Sequence, residues 1–156
     1  MNKYELLLDK ISQELPVIEL PLSPLGFEGN YFDGMIFIDS SLTQNKKREI
    51  LSEEYAHFKT SVGNIINYEE IDNRKQELKA RRYSIEMIIT LDDLIECRDY
   101  GCTSIYECAE YLAVTHDLLR DTLNHYHAKY GMNHRYKDKL FIFMTESLLI
   151  LDKKIN

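Results

Sequence analysis

The sequence predicts an α+β fold that is mainly helical, with a small antiparallel β-sheet and a C-terminal helical unit, and three observations carry that expectation. Apolar residues recur at helical spacing along most of the chain, beginning with Tyr4, Leu7, Leu8, Ile11 and Leu15. One Tyr-, Phe- and Ile-rich stretch, 27–39, breaks that pattern around Asp33-Gly34, a strong signal for a two-residue hairpin turn. Farther on, Gly101 and Gly131, with Ser and Thr as N-caps, divide the chain into short helices.

Taken in order, the first fifteen residues read as an amphipathic helix that Pro16 ends, and Pro16, Pro21 and Pro24 make an extended connector. Strands are expected near 27–32 and 35–39. The stretch 40–43 supplies N-cap residues for a helix running to about Ser61, with Gly63-Asn64 as its stop. On that helix Leu51, Tyr55, Phe58 and Val62 form one apolar stripe, and Ile50, Glu54, His57 and Ser61 form the adjoining one. The polar group at 53–57 therefore borders the core. A second helix is expected over about 74–88, with Glu77, Ala80, Ser84 and Met87 on one face, small enough to admit a neighbouring helix. Helices near 91–100, 105–112 and 116–129 follow, and the tail at 139–150 reads equally as a strand pair or a helix. The expected division is a core at 1–90, with the N-terminal helix and hairpin, and a helical unit at 91–156 packed on it and ending in a hydrophobic tail.

With 156 residues and 44% hydrophobic content, the chain suits one compact domain, or a core with a small appendage, and not two large domains. A net charge of −7 argues against a general nucleic-acid binder. Within 104–129, where the outline is that of a helix-turn-helix, Glu107, Glu110, Asp117 and Asp121 outnumber Arg120 and Lys129, so a recognition helix would meet phosphates with the wrong sign. A protein partner is expected, with no direct nucleic-acid contact and no membrane. No apolar run approaches a membrane span, and Lys3, Glu5 and Asp9 would interrupt a signal core, so the expectation is a cytoplasmic protein of a bacterial host cell.

Cys97, Cys102 and Cys108 show no C-x-x-C spacing and read as buried or half-buried structural thiols, with a metal site as the alternative. His116, His125, His127 and His134 read as surface or helix-end histidines. Arg74, Lys75, Lys79, Arg81 and Arg82 read as a solvated helix face, the alternative being a docking surface for an acidic partner.

The stretch that carries chemistry is Glu53-Glu54-Tyr55-Ala56-His57, the H-E-x-x-H pattern of a metal-binding helix with glutamate in place of the first histidine. Positions 53 and 57 lie one turn apart on the same side of a helix, so both side chains can reach one cation. Glu54 points into the adjoining space, as suits a general base. A third ligand must come from elsewhere, and Glu77 is the leading candidate.

The run 50–64 resembles the active-site segment of phage-encoded ImmA/IrrE family metallo-endopeptidases, 73–83 resembles that family's downstream glutamate helix, and 104–131 resembles its C-terminal helical unit. The likeness covers roughly 27–131 in order and spacing. It implies a minimal zincin-like core, a divalent metal held by Glu53, His57 and Glu77, and Glu54 as the catalytic base. The metal implied is zinc, with manganese or an empty site as alternatives. It further implies a phage or mobile-element protein that relieves repression by cleaving a repressor-like protein.

Glu53 stands where classical members have histidine, although it resembles a phage subset of the family. The alternative is therefore an inactive pseudo-protease acting as an anti-repressor or protein-binding regulator. Two carboxylates and one imidazole neutralise a divalent charge, which makes the attacking water less acidic and favours harder cations. Without metal, Glu53, Glu54 and Glu77 repel one another, so at least one is expected to have a raised pKa or to turn toward solvent.

Overall fold

A computed structural model describes residues 1–61 and 70–153. The chain forms two compact units, Met1–Ile88 and Ile89–Asn156. The fold is α+β and mainly helical, with two three-stranded sheets among the described residues.

In the first unit, helix α1 (Lys3–Ser12) is capped by Asn2, whose side chain accepts the Glu5 N–H at 2.8 Å. It buries Tyr4 and Ile11, and Leu15 beyond it is buried too. Strand β1 (Val17–Leu20) comes next, then β2 (Gly29–Phe32) and β3 (Met35–Asp39), in the order β1-β3-β2. Antiparallel β2 and β3 meet at the Phe32–Met35 pair, with Asp33 and Gly34 at φ 52° and 76°, the left-handed conformation that the tightest hairpin turn requires. The Pro-rich connector contributes β1, which runs parallel to β3 with Val17 opposite Ile36, and as an edge strand it tolerates prolines at its ends.

Helix α2 (Gln44–Thr60) begins at Thr43, whose Oγ1 accepts the Lys46 N–H at 3.2 Å. Its apolar stripe enters a core of Tyr4, Ile11, Leu15, Ile36, Ile38, Ile50, Leu51 and Tyr55. The Lys47 ammonium, pulled against that core, pairs with Glu19 of β1 and so fixes the strand to the helix. The expected stop at Gly63-Asn64, and Val62 of the stripe, lie outside the described residues. Helix α3 (Glu70–Ile88) starts earlier than the expected 74 and packs on α2, with Ala80 and Ser84 buried.

The second unit holds α4 (Leu91–Tyr100), α5 (Ile105–Leu112) and α6 (His116–Tyr130), each opened by a Thr or Ser whose side chain accepts a first-turn N–H. The tail, open between strand and helix in the sequence, is a meander of β4 (Asn133–Tyr136), β5 (Lys139–Met144) and β6 (Ser147–Asp152). Phe141 and Phe143 on β5 are fully buried, so this unit is not helical alone. Among the described residues no helix is long and apolar enough to cross a membrane.

Candidate metal centre

The centre is built on α2 and α3 within the first unit. Glu53, Glu54 and His57 project from α2, each half-buried because the adjoining Leu51 and Tyr55 stripe fixes which side of the helix meets the core. Across from them, Glu77, Ala80 and Arg81 project from α3 at the i, i+3 and i+4 spacing that shares one helix face. Glu53, His57, Glu77, Ala80 and Arg81 together line a cavity of about 110 Å³.

Within it His57 Nε2 lies 3.5 Å from Glu77 Oε2. Two ligands on one tetrahedral cation sit about 3.4 Å apart, so this pair has the spacing the donor set needs. Glu53 is turned differently. Its Oε1 accepts from Arg81 Nη1 in an ion pair between the two helices. Among the described residues, no three of Glu53, Glu54, His57 and Glu77 bring ligand atoms within 4.8 Å of one another. The donors are thus two at ligand spacing and one on the same cavity, facing a guanidinium that supplies the positive charge. One imidazole and two carboxylates form a fitting donor set for a divalent cation, and Arg81 is the group such a cation must displace from Glu53.

Burial raises the Glu53 pKa against the opposing effect of the Arg81 charge. Burial likewise raises that of Glu54, aided by the charges of Glu53 and Glu77 and opposed by His57 and a backbone hydrogen bond from Tyr31 of β2. Desolvation therefore leads at both, followed by the opposing attraction of Arg81 or His57, with carboxylate repulsion behind these. Glu77 takes the other route and is 71% exposed.

Three participants were not read from the sequence. Arg81, assigned there to the solvated basic face, turns inward; its place four residues after Glu77 was the available signal. Glu14, just beyond α1, accepts from both the Tyr55 hydroxyl and the Lys59 ammonium and ties down the back of the motif helix. Gly29 of β2 is the third. A Cβ there would overlap Ile50 Cγ2 and sit 3.4 Å from Glu54 Cγ, so a strand this close to the motif helix requires glycine.

A family model described as the IrrE N-terminal-like domain, of the M78 peptidases, matches residues 13–124. The match begins ahead of 27, where the resemblance read from the sequence starts, and so takes in Glu14 and β1 as well as the motif helix. Neither a curated protein nor a solved structure gives a significant match. With the match covering well over half its length, the chain belongs to the IrrE N-terminal-like family of M78 peptidases and carries a metallopeptidase-like domain.

Proposed function

We propose that this chain is a metal-dependent endopeptidase of a phage or other mobile element, which relieves repression by cutting a repressor protein. The observation that carries the reading is the 3.5 Å approach of His57 Nε2 and Glu77 Oε2 on a cavity shared with Glu53. Glu53, His57 and Glu77 would hold the cation, zinc or the harder manganese. When bound, it supplies Lewis acidity that polarises the scissile carbonyl and acidifies the attacking water.

Glu54 does the proton work. Its half-buried carboxylate, with a pKa lifted by desolvation, takes a proton from the attacking water and returns it to the leaving amine. Tyr31, whose backbone reaches Glu54, lies on β2 at the edge of its sheet, where an extended substrate segment can add as a further strand. Ile50 and the Tyr31–Phe58 ring pair, centroids 5.7 Å apart, hold β2 itself against α2.

A second reading has its own observation. The Arg81–Glu53 ion pair places a permanent cation on the first ligand position, as suits a pseudo-protease that grips a partner without cutting it. The two separate in one experiment. The purified chain is mixed with the helix-turn-helix repressor encoded nearest its gene, with zinc or manganese, beside Glu54→Gln. Cleavage that falls about 10²- to 10⁴-fold in the variant supports the peptidase. An intact repressor held in a stable complex by both proteins sinks it and favours the gripping role.

A further inference from the structure

The second unit carries a cluster that the peptidase reading leaves unused. Cys97, Cys102 and Cys108 bring their three Sγ atoms within 4.8 Å of one another. Two of them meet because of how α4 ends. Gly101, at φ 104°, donates its N–H to the Arg98 carbonyl at 2.9 Å, and Cys102 N–H reaches back to the Cys97 carbonyl at 3.2 Å. That double bond pattern is a Schellman motif, which folds the second residue past the helix onto its last turn. An apolar contact between Cys97 and Cys102 would complete the motif by itself. The third thiol has no such explanation, for Cys108 arrives from α5, where Ser104 caps the helix and accepts the Cys108 N–H through its carbonyl at 3.0 Å.

All three side chains line a cavity of about 400 Å³, walled by apolar residues that include Leu94, Ile105, Leu119 and Leu123. Cys97 is buried, and Cys102 and Cys108 are half-buried. Three sulfurs on one tetrahedral zinc lie about 3.8 Å apart, so the observed cluster needs to contract by less than about 1 Å. Thiolates select soft cations, whereas the oxygen-rich set on α2 and α3 favours hard ones.

We propose that Cys97, Cys102 and Cys108 form a separate three-thiolate site for a soft d¹⁰ cation of the zinc type, with the fourth position open to the cavity. Binding transfers one proton from each thiol to solvent and forms three metal–sulfur bonds, with no change of oxidation state. Burial pushes the Cys97 and Cys108 thiols above their ordinary value.

The test uses the full chain, reduced and stripped with a chelator, titrated with cadmium and then zinc under anaerobic conditions. One equivalent of cadmium is expected to give thiolate-to-metal charge-transfer absorption, and zinc to displace it and protect Cys102 and Cys108 from alkylation. Cys102→Ala and Cys108→Ala each weaken binding at least roughly tenfold, while Glu53→Ala and His57→Ala leave the absorption in place. Absence of the band overturns the proposal, as does a band undiminished in a chain carrying both Cys102→Ala and Cys108→Ala. Should that variant not fold, equal alkylation rates of the parent with and without zinc overturn it instead.

Discussion

Arg81 on α3 donates to Glu53 on α2, so the residue that replaces the first histidine of the motif is neutralised by a cation the chain itself provides. Both side chains are 29% exposed, enough for solvent to weaken the pair and enough enclosure for it to compete with a metal. The substitution at 53 and the arginine at 81 are therefore two halves of one arrangement.

Removing the guanidinium while keeping the apolar stem should free Glu53 for a metal. Arg81→Met is expected to tighten manganese binding about three- to tenfold, the range set by a partly exposed ion pair. Arg81→Lys, which keeps a competing charge, should stay near the parent. Manganese is the useful probe because it ignores thiolates. Isothermal titration reads the result, and weaker binding in Arg81→Met would show that the arginine supports the site.

Gly29→Ala should destabilise the first unit by about 1–3 kcal/mol, the usual cost of forcing a methyl group into a packed position. The sign is diagnostic, because glycine to alanine at an unstrained strand position stabilises by roughly 0.4–1 kcal/mol through the unfolded chain. Here the new Cβ would overlap Ile50 Cγ2 and stand 3.2 Å from the Phe37 carbonyl oxygen, and Ile50, only 6% exposed, has no room to retreat. Urea unfolding should show a lower midpoint with an unchanged slope. A midpoint equal to or above the parent's would refute the tight approach of β2 to α2.

Local signals made much of this legible and nonlocal ones did not. Asp33-Gly34, Thr43 and Gly101 act within a few residues of themselves, and the turn, the cap and the helix end fall where those residues stand. Strand β1 has four residues between prolines and pairs in parallel with a strand almost twenty positions on, so nothing nearby announces it. The turns of the terminal meander place Lys137 and Glu146 at φ 55° and 52°, where a glycine or asparagine would have advertised a hairpin. At the site, the spacing of 53, 54 and 57 was plain, but the inward turn of Arg81 depends on a charge on another helix. The meeting of Cys108 with Cys97 and Cys102 likewise depends on α5 folding back.

Asp39 gives a prediction in pH. At 2% exposure its carboxylate accepts from the Ser41 hydroxyl at 2.7 Å and from the N–H groups of Leu22 and Ser23 at 3.1 and 3.3 Å. The Ser41 hydroxyl bond, opposed by burial and joined by the backbone donors, holds the pKa below its ordinary 3.8. A depressed folded-state value means the stabilisation is complete above 3.8 and is lost as pH falls through the folded value. Asp39→Asn should thus be less stable than the parent by a constant amount from about pH 7 to pH 5, with the gap closing at lower pH. Urea midpoints across that series measure it, and a gap that widens on acidification would contradict the sign.

Ala80 tests whether the cavity between α2 and α3 is the cation's place. It is 2% exposed and lies on the wall shared by Glu53, His57, Glu77 and Arg81. A leucine adds three carbons to a space of about 110 Å³ and must either fill it or push the helices apart. Ala80→Leu is therefore expected to abolish manganese binding and cost about 1–3 kcal/mol by overpacking, whereas Ala80→Ser, with one added oxygen, should keep most of both. Titration together with thermal unfolding separates the outcomes. Full manganese affinity in a folded Ala80→Leu chain would place the metal elsewhere, and with it the catalytic role assigned to Glu54.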